Sequence, residues 1–141
     1  MTTVIPAPPD RVWEDVARIA SHVEWMADAM AIHFQSDQQD GVGTTFTTDT
    51  RVGPFRLTDK MVITEWEAGR VMGIRHTGVV TGSGRFILEE IPGVPVQTRF
   101  TWEENLRFPP WMGGSLGGRA GGLILTRIWR RNLDNLRRRF E

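Results

Sequence analysis

Cysteine is absent from the 141 residues. That excludes a disulfide framework and thiolate chemistry, and it fits a reducing compartment. Net charge is absent as well. Seventeen Lys and Arg balance seventeen Asp and Glu, so a broad electrostatic attraction to nucleic acid or anionic lipid is not expected. Lysine is nearly missing, with Lys60 the single example. Six of the sixteen Arg crowd into the last fifteen residues. Such a run reads first as the solvated face of a helix, with a phosphate-binding tail as the alternative. No apolar run approaches the roughly 20 residues of a membrane span. Met1 to Pro6 has no basic segment leading into an apolar run, so no signal peptide is expected and a cytoplasmic protein is.

Catalytic motifs are also missing. The three histidines, His22, His33 and His76, fall in different stretches, and there is no H-E-x-x-H or cysteine pair. Neither a metal nor another cofactor is therefore expected. Ser115 lies among glycines but lacks the G-x-S-x-G spacing of a nucleophile elbow. The same glycines carry no G-K-[ST], which argues against a P-loop. Basic residues are not interleaved with exposed aromatics outside the last stretch, so nucleic-acid binding is not expected.

What is present is organised around the C-terminal stretch. Leu125, Trp129, Leu133, Leu136 and Phe140 recur every three or four residues and line one helical face, with Ile124 and Ile128 widening it. A helix with that much apolar surface needs a large partner. The middle of the chain supplies one, because it reads almost wholly as β-strand. Ahead of the helix stand Gly113-Gly114, Gly117-Gly118 and Gly121-Gly122. Glycine costs roughly 1 kcal/mol per residue in a helix interior relative to alanine. Either these glycines form a loop, with the helix starting near Gly122, or they clear side-chain volume and give a ligand a mobile entrance.

Taken in order, 141 residues are one domain's length, residues 1–141, with room for one core and one internal pocket. Val4-Ile5 is a short strand entry. Pro8-Pro9-Asp10 starts a helix carrying Val12, Trp13, Val16 and Ile19. Ser21-His22-Val23-Glu24 matches a capping box, so a second short helix is predicted, burying Trp25, Met26, Ala29 and Met30. From Ala31 the period is two. Strands follow over 44–52, 55–67, 70–77, 85–91 and 96–106, with residues 78–84 a loop or a loose strand.

Register follows from matching the apolar faces. With Ala68-Gly69 as a hairpin loop, Glu67 opposes Arg70, Ile63 opposes Ile74, and Met61 opposes His76. With Gly93-Val94-Pro95 as another, Leu88 opposes Phe100 and Phe86 opposes Trp102.

This order, strand, two short helices, six or so antiparallel strands and a long helix, resembles the helix-grip fold of the START and Bet v 1 superfamily. Within it the chain looks like the bacterial polyketide cyclase/dehydrase group. The residues that carry the resemblance are Ile5-Pro6-Ala7-Pro8 followed by Val12-Trp13, then Trp25, Phe86-x-Leu88 with Ile91-Pro92-Gly93, and Leu133-x-x-Leu136 with Glu141. The resemblance spans nearly the whole chain. It implies an α+β fold: a six- or seven-stranded curved antiparallel sheet wrapped around a long C-terminal helix, with two short helices after the first strand. It also implies an internal space for a hydrophobic molecule such as a lipid or a polyketide-like aromatic. The family has no universal catalytic motif, so fold alone does not choose among its functions.

Strand alternation names the candidate lining. It comprises Trp25, Phe46, Thr48, Met61, Ile63, Met72, Ile74, Phe86, Leu88, Glu90, Phe100 and Trp102 from the front and the sheet, with Leu116, Ala120, Leu123 and Ile124 from the helix. Each of these residues alone reads equally as solid core. Four polar residues, Asp59, His76, Glu90 and Glu104, fall in phase with the apolar face. Asp59 is diagonal to His76 across the predicted hairpin and within reach of it. Such a pair could do general acid–base work. Strand ends or a bulge would instead turn these side chains to water, above all Glu104.

Three functions stay open. The first is a monomeric or dimeric binding or transport protein for a small hydrophobic molecule. The second is a cyclase, aromatase or dehydratase with His76 and Asp59 as acid–base residues. The third is a regulatory interaction module with a filled core.

Overall fold

The structure, a computed structural model, describes residues 1–110 and 114–141, and the side chains of these outside 114–121. Seven strands form one antiparallel sheet in the order β1-β7-β6-β5-β4-β3-β2. They are β1 (Thr2–Ile5), β2 (Ala29–Phe34), β3 (Thr45–Val52), β4 (Phe55–Glu67), β5 (Val71–Thr77), β6 (Thr81–Ile91) and β7 (Gln97–Arg107). Between β1 and β2 lie helix α1 (Pro9–Val16) and a 3₁₀ helix, Ile19–Glu24. Helix α2, Gly114–Arg138, closes the chain. It begins among the paired glycines rather than after them, which sets aside the alternative of a loop reaching to Gly122. Of the two readings of residues 78–84, strand holds for 81–84, which belong to β6 and pair with β5 and β7.

The β6–β7 hairpin keeps the register expected from its apolar faces, Leu88 against Phe100 and Phe86 against Trp102. In the β4–β5 hairpin Met61 faces His76 and Ile63 faces Ile74, but the register shifts between Ile63 and Glu65. Glu67 therefore pairs with Val71 and not with Arg70. A bulge adds one residue, and because side chains alternate with period two, everything beyond it changes face. Trp66 turns inward onto Trp13, with ring centroids 5.2 Å apart. Glu65 turns outward, where it meets Arg85 at 3.1 Å. Alternation alone puts Glu65 inside.

The front of the chain also departs from the capping-box expectation. The Ser21 hydroxyl donates backwards, to the carbonyls of Asp15 and Arg18. Met30 sits in β2 and is exposed, because the strand has already begun there.

Ile5, Val12, Val16, Ile19, Leu88, Phe100, Leu133 and Leu136 pack as a continuous core between the sheet, α1 and the end of α2. Polar anchors fix the last helix. Buried Asn132 accepts from the Ala27 backbone N–H at 2.9 Å and donates to Asp28 at 2.7 Å. Arg139 donates twice to Asp15, both at 2.7 Å. The Arg139 hydrogen bonds hold the Asp15 carboxyl below the usual carboxylate range, against the effect of burial.

Candidate functional site

The described residues enclose a cavity of about 140 Å³ between the sheet and the first turns of α2 that have described side chains. Its walls come from every strand from β2 to β7 and from Leu125 and Trp129 of α2. Most of the surface is apolar. An engineered cavity of similar size, about 150 Å³, holds benzene; this one is partly open to solvent, so a second ring has room to extend from it.

Of the residues expected at the cavity, Phe46, Thr48, Met61, Met72, Ile74, Phe86, Trp102, Asp59 and His76 line it. Ile63, Leu88 and Phe100 do not. They lie one or more strand positions further on, where α1 and α2 close down on the sheet, and they are fully packed core. Trp25 is not in the lining either but is buried behind it, against Phe86 and Trp102 at centroid distances of 5.9 and 6.0 Å. Glu90 shares a face with Phe86 and Leu88 but lies beyond the core edge and is exposed. Leu123 and Ile124 are 66% and 48% exposed. The helix presents Leu125 and Trp129 inward instead, and residues one and two places earlier are turned about 100° and 200° away. Leu116 and Ala120 lie outside the described side chains.

The polar heart of the cavity is a chain of four side chains. The His76 ring donates from Nδ1 to Asp59 Oδ2 at 2.7 Å, and from Nε2 to Glu104 Oε2 at 3.3 Å. Trp102 Nε1–H donates to Glu104 Oε1 at 2.9 Å. Asp59 Oδ1 is buried without a partner among the described residues. Burial by itself would push the His76 pKa down. The hydrogen bonds to Asp59 and Glu104, and the charges behind them, outweigh it and raise the pKa to about 9. At neutral pH the ring is therefore an imidazolium with both N–H groups committed to carboxylates. It has no lone pair left to act as a base.

Glu104, which a strand end would turn to water, instead folds back over β6 because its cross-strand partner is Gly84. A Cβ at Gly84 would stand 2.6 Å from Glu104 Oε2, so the missing side chain is the space the carboxylate occupies. Gly84 carries no readable signal by itself, since an isolated strand glycine marks only a bulge or a close approach.

His22 is a lining residue that sequence reasoning misses. Nothing in its local sequence distinguishes it from a helix-start residue. Leu57 and Leu106 were readable, in phase with Asp59 and with Glu104. No group of three or more His, Asp or Glu among the described residues is arranged to hold a metal ion.

Several solved structures share this shape. The Zhui aromatase/cyclase from Streptomyces sp. R1128 superposes with a TM-score of 0.77 at 16% identity, covering 96% of this chain and 88% of its own. A protein from Thermus thermophilus gives 0.76 at 15%, covering 99% and 94%. The di-domain aromatase/cyclase BexL of the BE-7585A biosynthetic pathway gives 0.72 at 17%, covering 100% of this chain and 49% of that one. At such identities the likeness is one of fold. No curated protein matches the sequence. The family model described as polyketide cyclase/dehydrase and lipid transport, however, matches residues 1–141, and the chain belongs to that family.

Proposed function

We propose that the protein binds a small, largely apolar ring compound in the cavity between sheet and α2. The support is a mostly apolar wall into which one hydrogen-bonded cluster of ionisable side chains, Asp59–His76–Glu104, is set. One imidazolium between two carboxylates leaves a net negative pole, which favours a neutral or cationic ligand carrying a hydroxyl or amine and disfavours a carboxylate.

Calorimetric titration with naphthalene, naphthol, naphthylamine and naphthoate tests this. Naphthol and naphthylamine should bind more tightly than naphthalene, and naphthoate least. If none of the four binds, or naphthoate binds best, the reading fails.

The 2.7 Å contact between Asp59 and His76 favours a second reading, acid–base catalysis in a cyclase or dehydratase. Asp59, the most accessible of the three at 15% side-chain exposure, would be the proton acceptor. His76 would hold it in place and stabilise its charge. Asp59→Asn should then abolish turnover of an enolisable polyketide-like substrate while ligand affinity changes little. Equal loss of both would leave binding as the whole function.

A further inference from the structure

His22 sits in the 3₁₀ helix between α1 and β2, far in sequence from the Asp59–His76–Glu104 cluster, yet its ring lines the same cavity. It is 6% exposed. Its Nε2 lies 2.7 Å from the Val16 carbonyl oxygen. A carbonyl can only accept, so Nε2 carries the hydrogen and the tautomer is fixed. The ring is held from the sides by aromatics, Trp25 at 5.3 Å and Phe86 at 5.9 Å between centroids. Burial drives its pKa down to about 4, against the Val16 carbonyl and the Asp15 charge. At neutral pH Nδ1 is therefore a lone pair. Among the described residues no protein donor meets it.

The two histidines of one cavity are thus pushed apart, one to imidazolium and one to neutral imidazole. Such divergence between neighbouring titratable groups is how sites assign unlike roles to like side chains. Their separation follows from the sheet. His22 packs on Phe86, and Phe86 meets Trp102 at 5.3 Å. Phe86 is two residues along β6 from Gly84, over which the Glu104 carboxylate lies. Two strand residues span roughly 7 Å, the distance along β6 between the positions on which the two polar groups pack.

We propose that His22 is a second ligand-recognising group: a fixed, neutral hydrogen-bond acceptor that takes a ligand hydroxyl, so that the cavity selects a small aromatic with hydrogen-bond donors at both ends. This rests on the reading of the cavity as a ligand site and adds a second pole to it.

The test compares naphthalene, naphthol and a naphthalenediol with hydroxyls on opposite rings, on wild type and on His22→Gln. Glutamine can keep a donor on the Val16 carbonyl, and its own acceptor, the amide oxygen, then stands away from the place of Nδ1. The diol should bind wild type roughly three- to tenfold more tightly than naphthol, the worth of one hydrogen bond. In His22→Gln the ratio of diol to naphthol affinity should fall toward one, whatever the change in naphthalene affinity. Ring-nitrogen NMR of the wild type gives a readout independent of the variant's folding: the His22 Nδ1 resonance should move on adding diol and stay put with naphthalene. A diol advantage that survives in His22→Gln, or an Nδ1 resonance unmoved by bound diol, overturns the role of His22. Binding of naphthalene and naphthol without any diol advantage overturns it too and leaves the cavity reading standing. Binding of none overturns both.

Discussion

Gly84 is the residue on which the charge state of the cavity turns. Its missing Cβ is what lets Glu104 lie against His76. Gly84→Ala should push the carboxylate aside and strip the ring of one of its two counter-charges. The His76 pKa should then fall from about 9 toward the ordinary histidine value, read by NMR titration of the ring. Gly73→Ala is the control. A Cβ there meets Glu65 at 2.9 Å, but that side chain is half exposed on the outer face and can move without touching His76. An unshifted His76 in Gly84→Ala would place the source of its raised pKa in Asp59 alone. At this scale the sequence was half legible. Alternation brought Asp59 to His76, because both lie on the unbulged part of their strands. It put Glu104 on the same face but could not bring it to His76, because that contact depends on a side chain that is not there. It could not find His22, because a 3₁₀ turn has no long-range period to read.

Among the elements, α2 is fastened to the rest of the fold through few polar contacts. Asn132 falls in phase with Trp129 and Leu136 on the apolar face, yet it is fully buried. It ties the entry of β2 to the helix through Ala27 and Asp28. Asn132→Ala orphans both partners and should cost about 1–3 kcal/mol in chemical denaturation. A loss near zero would show that water replaces the amide fully. The elements themselves were largely legible. β4 falls over 55–67 as its alternation indicates, and the β6–β7 register follows from the aromatic faces. The bulge after Ile63 was hidden, since a one-residue insertion leaves no compositional mark. Met30 was misplaced because the helical period of the front segment ends earlier than its apolar residues do.

For the whole molecule, the two cavity histidines set opposite slopes of stability against pH. In the unfolded chain each titrates near 6.5. Folded His76 keeps its proton up to about pH 9, so its contribution is complete below pH 6.5 and fades as pH rises through 9. Folded His22 refuses a proton down to about pH 4, so its contribution is complete above pH 6.5 and fades as pH falls through 4. Each window is worth on the order of 3 kcal/mol. Urea denaturation at stepped pH should therefore show a maximum near pH 6.5 with losses on both sides. Stability unchanged between pH 7 and 9 would mean that His76 is not held as an imidazolium. The bulge in β4 has a consequence at the same scale. On one side of it the strand faces the hollow half of the molecule, with Asp59 and Met61; on the other Trp66 joins the solid half under α1. Cavity lining and cohesion are thereby handed to different residues of one strand. Substitutions at Leu57 can redraw the shape of the chamber without removing a stone from the wall that holds the fold up.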